Sequence, residues 1–119
     1  MMLKSYRELN VWKKADELAF RVYKLTETFP KQYLYDLTSQ LRRASLSIPT
    51  NLAEGCASPH TGELLQFINI SRRSLSETRY LIEFACRLDL IKPDKHEELD
   101  KLCSEIGRML AALTTSIKK

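Results

Sequence analysis

Apolar residues recur along this chain at helical spacing in four blocks separated by short polar breaks. From Leu37 to Gly55, the residues Leu37, Leu41, Ala44, Ile48 and Leu52 follow one another at intervals of four, three, four and four, which lays one stripe along a helix. Val11, Ala15, Leu18, Val22 and Leu25 make the same stripe in a helix predicted from about Asn10 to Thr28, ended by Phe29-Pro30. A third helix, about Glu63 to Leu90, carries two seams. Leu64, Ile68, Ser71, Leu75, Thr78, Ile82 and Ala85 form one, and Phe67, Ile70, Ser74, Glu77, Leu81, Phe84 and Leu88 the other. A fourth begins near Pro93-Asp94, with Asp94, Glu97 and Glu98 suited to its N-terminal dipole and Leu99, Leu102, Ile106, Leu110, Leu113 and Ile117 as its stripe. Four helices with short connections predict an all-α, antiparallel up-down-up-down four-helix bundle, a single domain over residues 1–119. The two seams of the third helix cover more than half its circumference, which points to self-association or to a helix enclosed by its neighbours.

Polar residues interrupt these seams at helical spacing too. In the second helix Arg43, Ser47, Asn51 and Glu54 run beside the stripe, and in the third Ser74 and Glu77 stand within the second seam. Polar groups next to a core need partners, so Arg43, Ser47, Asn51, Glu54, Ser74 and Glu77 are expected to form a network of charge-assisted hydrogen bonds between the two helices. Arg42 projects about 100° from Arg43 and is assigned to solvent or a ligand, Arg43 to structure. Pro49 is expected to bend or divide its helix, Gly55 to stop it, and Thr61 or a neighbour to cap the next.

The net charge is +4, and residues 1–31 carry seven basic and four acidic groups, so the first helix supplies most of the excess. Lys13, Lys14, Arg21 and Lys24 lie opposite its core stripe with only Glu17 among them, and Phe20 stands within that basic face. Arg42 and the pair Arg72-Arg73 add further positive charge. Such a face can hold nucleic acid, with Phe20 stacking on a base or packing on a neighbouring subunit, or it can be solvated surface.

The chemistry of catalysis is sparse. Cys56, Cys86 and Cys103 offer neither a disulfide framework nor Cys-x-x-C spacing, and His60 and His96 are far apart in sequence, so no metal or other cofactor is expected. There is no Glu-x-x-His pair, Walker loop, HExxH, glycine-rich dinucleotide turn or Arg-x4-6-His ribonuclease motif. Glu54 and Glu77 read as partners of an arginine before they read as a catalytic carboxylate pair. The N-terminus MMLKSYRELN has no signal-peptide run and no segment approaches a membrane span, so a soluble, cytoplasmic non-enzyme is expected.

The string Q-L-R-R-A-S-L-S-I-P-T-N-L-A-E-G, with Leu9-Asn10-Val11-Trp12-Lys13-Lys14-Ala15, Phe29-Pro30 and Arg72, Ser74 and Glu77, resembles the bacterial four-helix-bundle proteins encoded within intervening sequences of large-subunit ribosomal RNA genes. That family is similar in fold to the accessory proteins of diversity-generating retroelements, which form pentameric barrels and associate with a reverse transcriptase and with nucleic acid. The resemblance therefore implies a homo-oligomer, specifically a pentamer. Two functions follow as expectations. The first is a non-catalytic nucleic-acid-binding protein that recognises backbone and shape of structured RNA or DNA through Lys13, Lys14, Arg21, Lys24, Arg42, Arg72 and Arg73. The other is an adaptor that presents repeated surfaces to a partner enzyme such as a reverse transcriptase.

Overall fold

The structure is a computed structural model that describes residues 5–119; the N-terminal reading at positions 1–4 lies outside them. Four helices make up the molecule: α1 (Asn10–Thr26), α2 (Ser39–Ala57), α3 (Thr61–Arg87) and α4 (Pro93–Lys118). Each packs on the next and α4 returns to α1, in an all-α up-down bundle of 44 × 25 × 19 Å. The α2–α3 packing is the most extensive and α1–α4 the least. One core runs through it, with Leu18, Leu41, Ile48, Leu52, Ile68, Ile82, Leu99, Ile106 and Leu110 fully enclosed.

Local chemistry sets the ends. A single helical turn, Tyr6–Glu8, precedes α1, and there the Ser5 hydroxyl accepts from the Arg7 N–H while the Glu8 carboxylate accepts from the Ser5 N–H, both at 3.1 Å. A tight turn at Lys31–Tyr33 and a wide π-type turn at Leu34–Thr38 lead into α2. α3 is shorter than its apolar pattern suggests, because Asp89 takes a left-handed φ of 62° and the Leu90 N–H bonds the Ala85 carbonyl at 3.0 Å. α4 opens with Pro93 in its first turn, where no N–H is needed.

Pro49 does not divide α2, and the helix is continuous from Ser39 to Ala57. The carbonyls on either side of the proline's amide plane are used between helices: the Trp12 indole N–H donates to the Pro49 carbonyl at 3.2 Å, and the buried Ser71 hydroxyl donates to that of Ile48 at 2.9 Å. α1 and α3 thus each bond α2 at one level. Gly55 is not a stop. A Cβ there would lie 2.9 Å from the Cβ of Phe67 and 3.1 Å from a Leu64 methyl, so its missing side chain lets α2 and α3 close together. The N-cap position of α3 is His60, without a side-chain bond, and Ser58 instead joins the Glu63 carboxylate and accepts from the His60 N–H at 3.1 Å.

Candidate nucleic-acid interface

The basic face of α1 is largely compensated. Lys14 meets Glu105 of α4 at 3.5 Å, Arg21 meets Glu17 at 2.9 Å, and Lys24 meets Glu27 at 3.3 Å. Lys13 is exposed and has no acidic partner among the described residues. Phe20 is 67% exposed, beside a groove of about 450 Å³ that Arg21, Lys24 and Leu25 share with Lys95, Glu98 and Leu99 of α4. There too Lys95 is held, by Glu98 at 3.0 Å.

The adjacent arginines of α2 reverse their expected roles. Arg42 lies over the Tyr23 ring at 4.7 Å and its Nε donates to the Thr26 hydroxyl at 2.7 Å, with a longer 3.5 Å contact to the Tyr23 carbonyl. It therefore fastens the C-terminal turn of α1, where a cation suits the helix dipole. Arg43 is exposed and makes no hydrogen bond or ion pair among the described residues.

The expected network is present in its hydroxyl and amide members and not in its ionic ones. Ser74 donates to the Ser47 hydroxyl at 2.9 Å, and the Asn51 amide donates to the Ser47 hydroxyl and carbonyl at 2.8 Å. Glu77 accepts from the Gln40 amide at 3.2 Å instead of pairing with Arg43, and Glu54 has no such partner among the described residues. Register explains the difference. With Gln40 facing Glu77, Ser47 facing Ser74 and Gly55 facing Phe67, Glu54 stands level with the first turns of α3, far from Glu77. Arg43 and Glu54 themselves are roughly 16 Å apart along the axis at 1.5 Å per residue.

On α3 the cations have different company. Arg79 is committed to α4, where its Nε and Nη2 donate to Asp100 at 3.2 and 2.9 Å. Arg72, Arg73 and Arg87 have no acidic partner among the described residues, and Arg87 lies 5.1 Å over the Phe84 ring. Arg72 lines a cleft of about 170 Å³ with Leu65, Asn69, Thr114 and Lys118, two cations and no carboxylate. Arg43 lines a polar notch with Gln40, Ser47, Ser74 and Glu77, whose volume is about 260 Å³, and Arg73 is exposed on α3 next to Ser74. Beyond Gln40 the same groove turns aromatic: Tyr33, Tyr80 and Phe84 line about 340 Å³ with Asp36, Leu37, Leu81 and Leu88.

Sequence reasoning passed over Arg43 as a free cation, and over Arg87, Lys118 and Tyr80. The spacing of Arg73, Tyr80 and Arg87, seven residues apart each time, was the available signal, since such residues stay on one side of a helix. Burial pushes the Cys103 thiol up to about 12, with Arg79 opposing and Asp100 adding, so this cysteine is held as the unreactive thiol. Among the described residues no group of three or more His, Cys, Asp or Glu is placed to hold a metal ion, and no helix is long and apolar enough to cross a membrane.

The family model of the 23S rRNA-intervening sequence protein matches residues 7–112. The chain belongs to this family. Among solved structures it is similar to a protein of unknown function from the S23 ribosomal protein family of Bacteroides thetaiotaomicron VPI-5482, at a TM-score of 0.81 and 23% identity, covering 88% of this chain and 95% of that one. At that identity the likeness concerns the fold. No curated protein matches the chain. Membership leaves the function of the polar positions of α2 and α3 to be argued from the geometry.

Proposed function

We propose that this member of the 23S rRNA-intervening sequence protein family is a non-catalytic, homo-oligomeric nucleic-acid-binding protein. The observation that carries the reading is the contrast between the two sides of the bundle. On α1 and α4 five of the eight cations have a carboxylate within reach, Lys13, Arg108 and Lys118 being the exceptions, whereas on α2 and α3 only Arg79 of six does, and Arg43, Arg72, Arg73 and Arg87 have none among the described residues. Uncompensated guanidinium groups are the chemistry that takes phosphate, as paired charges on α1 are not. The binding set therefore centres on Arg72 and Arg73 with Arg43, while Lys13, Lys14, Arg21 and Lys24 contribute at longer range and Arg42 is spent on α1.

The family takes its name from 23S rRNA intervening sequences, so a structured RNA is the first probe. Fluorescence anisotropy of a labelled RNA hairpin across a salt series is expected to give a linear fall of log K with log salt. Three or four phosphates neutralised would set a slope of about −2 to −4. The double variant Arg72→Glu, Arg73→Glu is expected to flatten that slope by about two while helix content stays unchanged. Absence of binding at low salt would sink the proposal.

A further inference from the structure

The α2–α3 face differs from an ordinary phosphate-binding surface in one respect: its free cations alternate with exposed aromatic rings. Tyr80 is 54% exposed and lies between Arg73 and Arg87 at seven-residue intervals, roughly 10 Å to either side along the helix. Behind it the Phe84 ring stands 6.2 Å away and tilted by 51°, and Arg87 covers the other part of Phe84. Across the groove Tyr33 lines the same wall, and Tyr35, 93% exposed, projects from the adjoining turn. The notch below, between Arg43 and Glu77, is polar throughout apart from Ala44.

A duplex presents phosphates and groove edges to a protein and keeps its bases stacked on each other. Tyr80, two turns from Arg73 on one side and from Arg87 on the other, has no base to stack on in such a ligand. An unpaired strand offers what this face lacks: a π-surface for the ring and phosphates spaced along both sides of it. We infer that the groove between α2 and α3 is a docking site for single-stranded nucleic acid, with Tyr80 as the stacking platform and Arg43, Arg73 and Arg87 as its phosphate contacts. The charge argues against a second copy of the chain as the occupant. Three guanidiniums without a carboxylate partner among the described residues would have to be desolvated in such an interface, and a second copy of a chain with a net charge of +4 brings more positive charge than negative. This inference rests on the nucleic-acid reading above and goes beyond it by naming the strand and the ring.

The test compares a labelled 12-nucleotide single-stranded RNA with the blunt duplex of the same sequence, by anisotropy at one low salt concentration. Wild-type protein, Tyr80→Ala and Tyr80→Trp are each measured, with circular dichroism and sedimentation velocity on the same samples. The single strand is expected to bind at least ten-fold more tightly than the duplex. Tyr80→Ala is expected to weaken the single strand by about 5- to 160-fold, the range for loss of one base–aromatic stack, and to leave the duplex unchanged. Tyr80→Trp restores or exceeds the wild-type affinity. Equal binding of strand and duplex, with no effect of Tyr80→Ala, overturns this inference and leaves the nucleic-acid reading standing. No binding of either overturns both. A Tyr80→Ala protein that binds as wild type but loses its assembly assigns the face to a second copy and overturns the inference as well.

Discussion

Arg42 and Arg43 are neighbours in sequence and have no task in common. The Arg42 guanidinium is fixed by the Thr26 hydroxyl and the Tyr23 ring, at a helix end where positive charge is favourable. Thr26 is buried and shares its own proton between the Val22 and Tyr23 carbonyls at 2.8 and 3.0 Å, so removing Arg42 takes away the donor to its oxygen. Arg42→Ala is expected to cost about 1–2 kcal/mol, several degrees in Tm, through the lost charged hydrogen bond and ring contact. Arg43→Ala is expected to stay within about 0.5 kcal/mol, as for other exposed groups without partners. Thermal melts of the two variants check both; a larger loss at Arg43 would return it to a structural role. The spacing in sequence placed Arg43 beside the stripe, whereas the buried face of α2 takes in Ser45 and Pro49 on the Arg42 side and leaves Arg43 exposed, and side-chain reach did the rest. Arg42 is long enough to turn back over α1, and a stripe drawn on an ideal helix does not contain that freedom.

At the scale of elements, the closeness of α2 to α3 depends on Gly55. Adding a methyl there drives it against the Phe67 Cβ, which cannot swing away as the tip of a flexible side chain can. Gly55→Ala should gain up to about 1 kcal/mol in helix propensity and lose about 1–3 kcal/mol to overpacking, a net destabilisation. Gly62, in the first turn of α3, has nothing within 4 Å of a Cβ, so Gly62→Ala keeps only the gain. Urea unfolding of the two variants should therefore show midpoints moving in opposite directions; a shift to higher urea for both would mean that α2 and α3 separate at little cost. The helices and their buried faces were legible in the sequence because periodicity is a local property, read correctly even where Pro49 interrupts it. The termini were less so, since Asp89 ends α3 by a backbone conformation that its side chain does not announce. The ionic part of the α2–α3 network was not legible at all. It depends on register between helices, and the pattern of one helix carries no information about its height against another.

Over the whole molecule, charge divides the bundle. Five of the six ion pairs among the described residues lie on α1, α4 or the turn after α1, and they leave that side locally neutral around Phe20. Composition could not reveal this, because a net +4 is the same whether cations are paired or free. The positive clusters legible in sequence on α1 are the compensated ones, and the free guanidiniums gather on α3, away from them. A compensated surface around a protruding ring is suited to contact with another protein surface, since the centre of such an interface disfavours unpaired charge. The proposed self-association is therefore assigned to the α1–α4 groove with Phe20 as its anchor, and nucleic acid to the opposite side. Phe20→Glu places a carboxylate at that anchor while disturbing the monomer little, because the ring is two-thirds outside the core. Sedimentation velocity is expected to show the wild-type protein as an oligomer and Phe20→Glu shifted to monomer, with the same helix content and the same intrinsic affinity for a short RNA. An assembly untouched by Phe20→Glu would move the contact to another face. A wild-type protein that sediments as a monomer at every concentration would remove self-association from the proposal and leave the binding of RNA to stand alone.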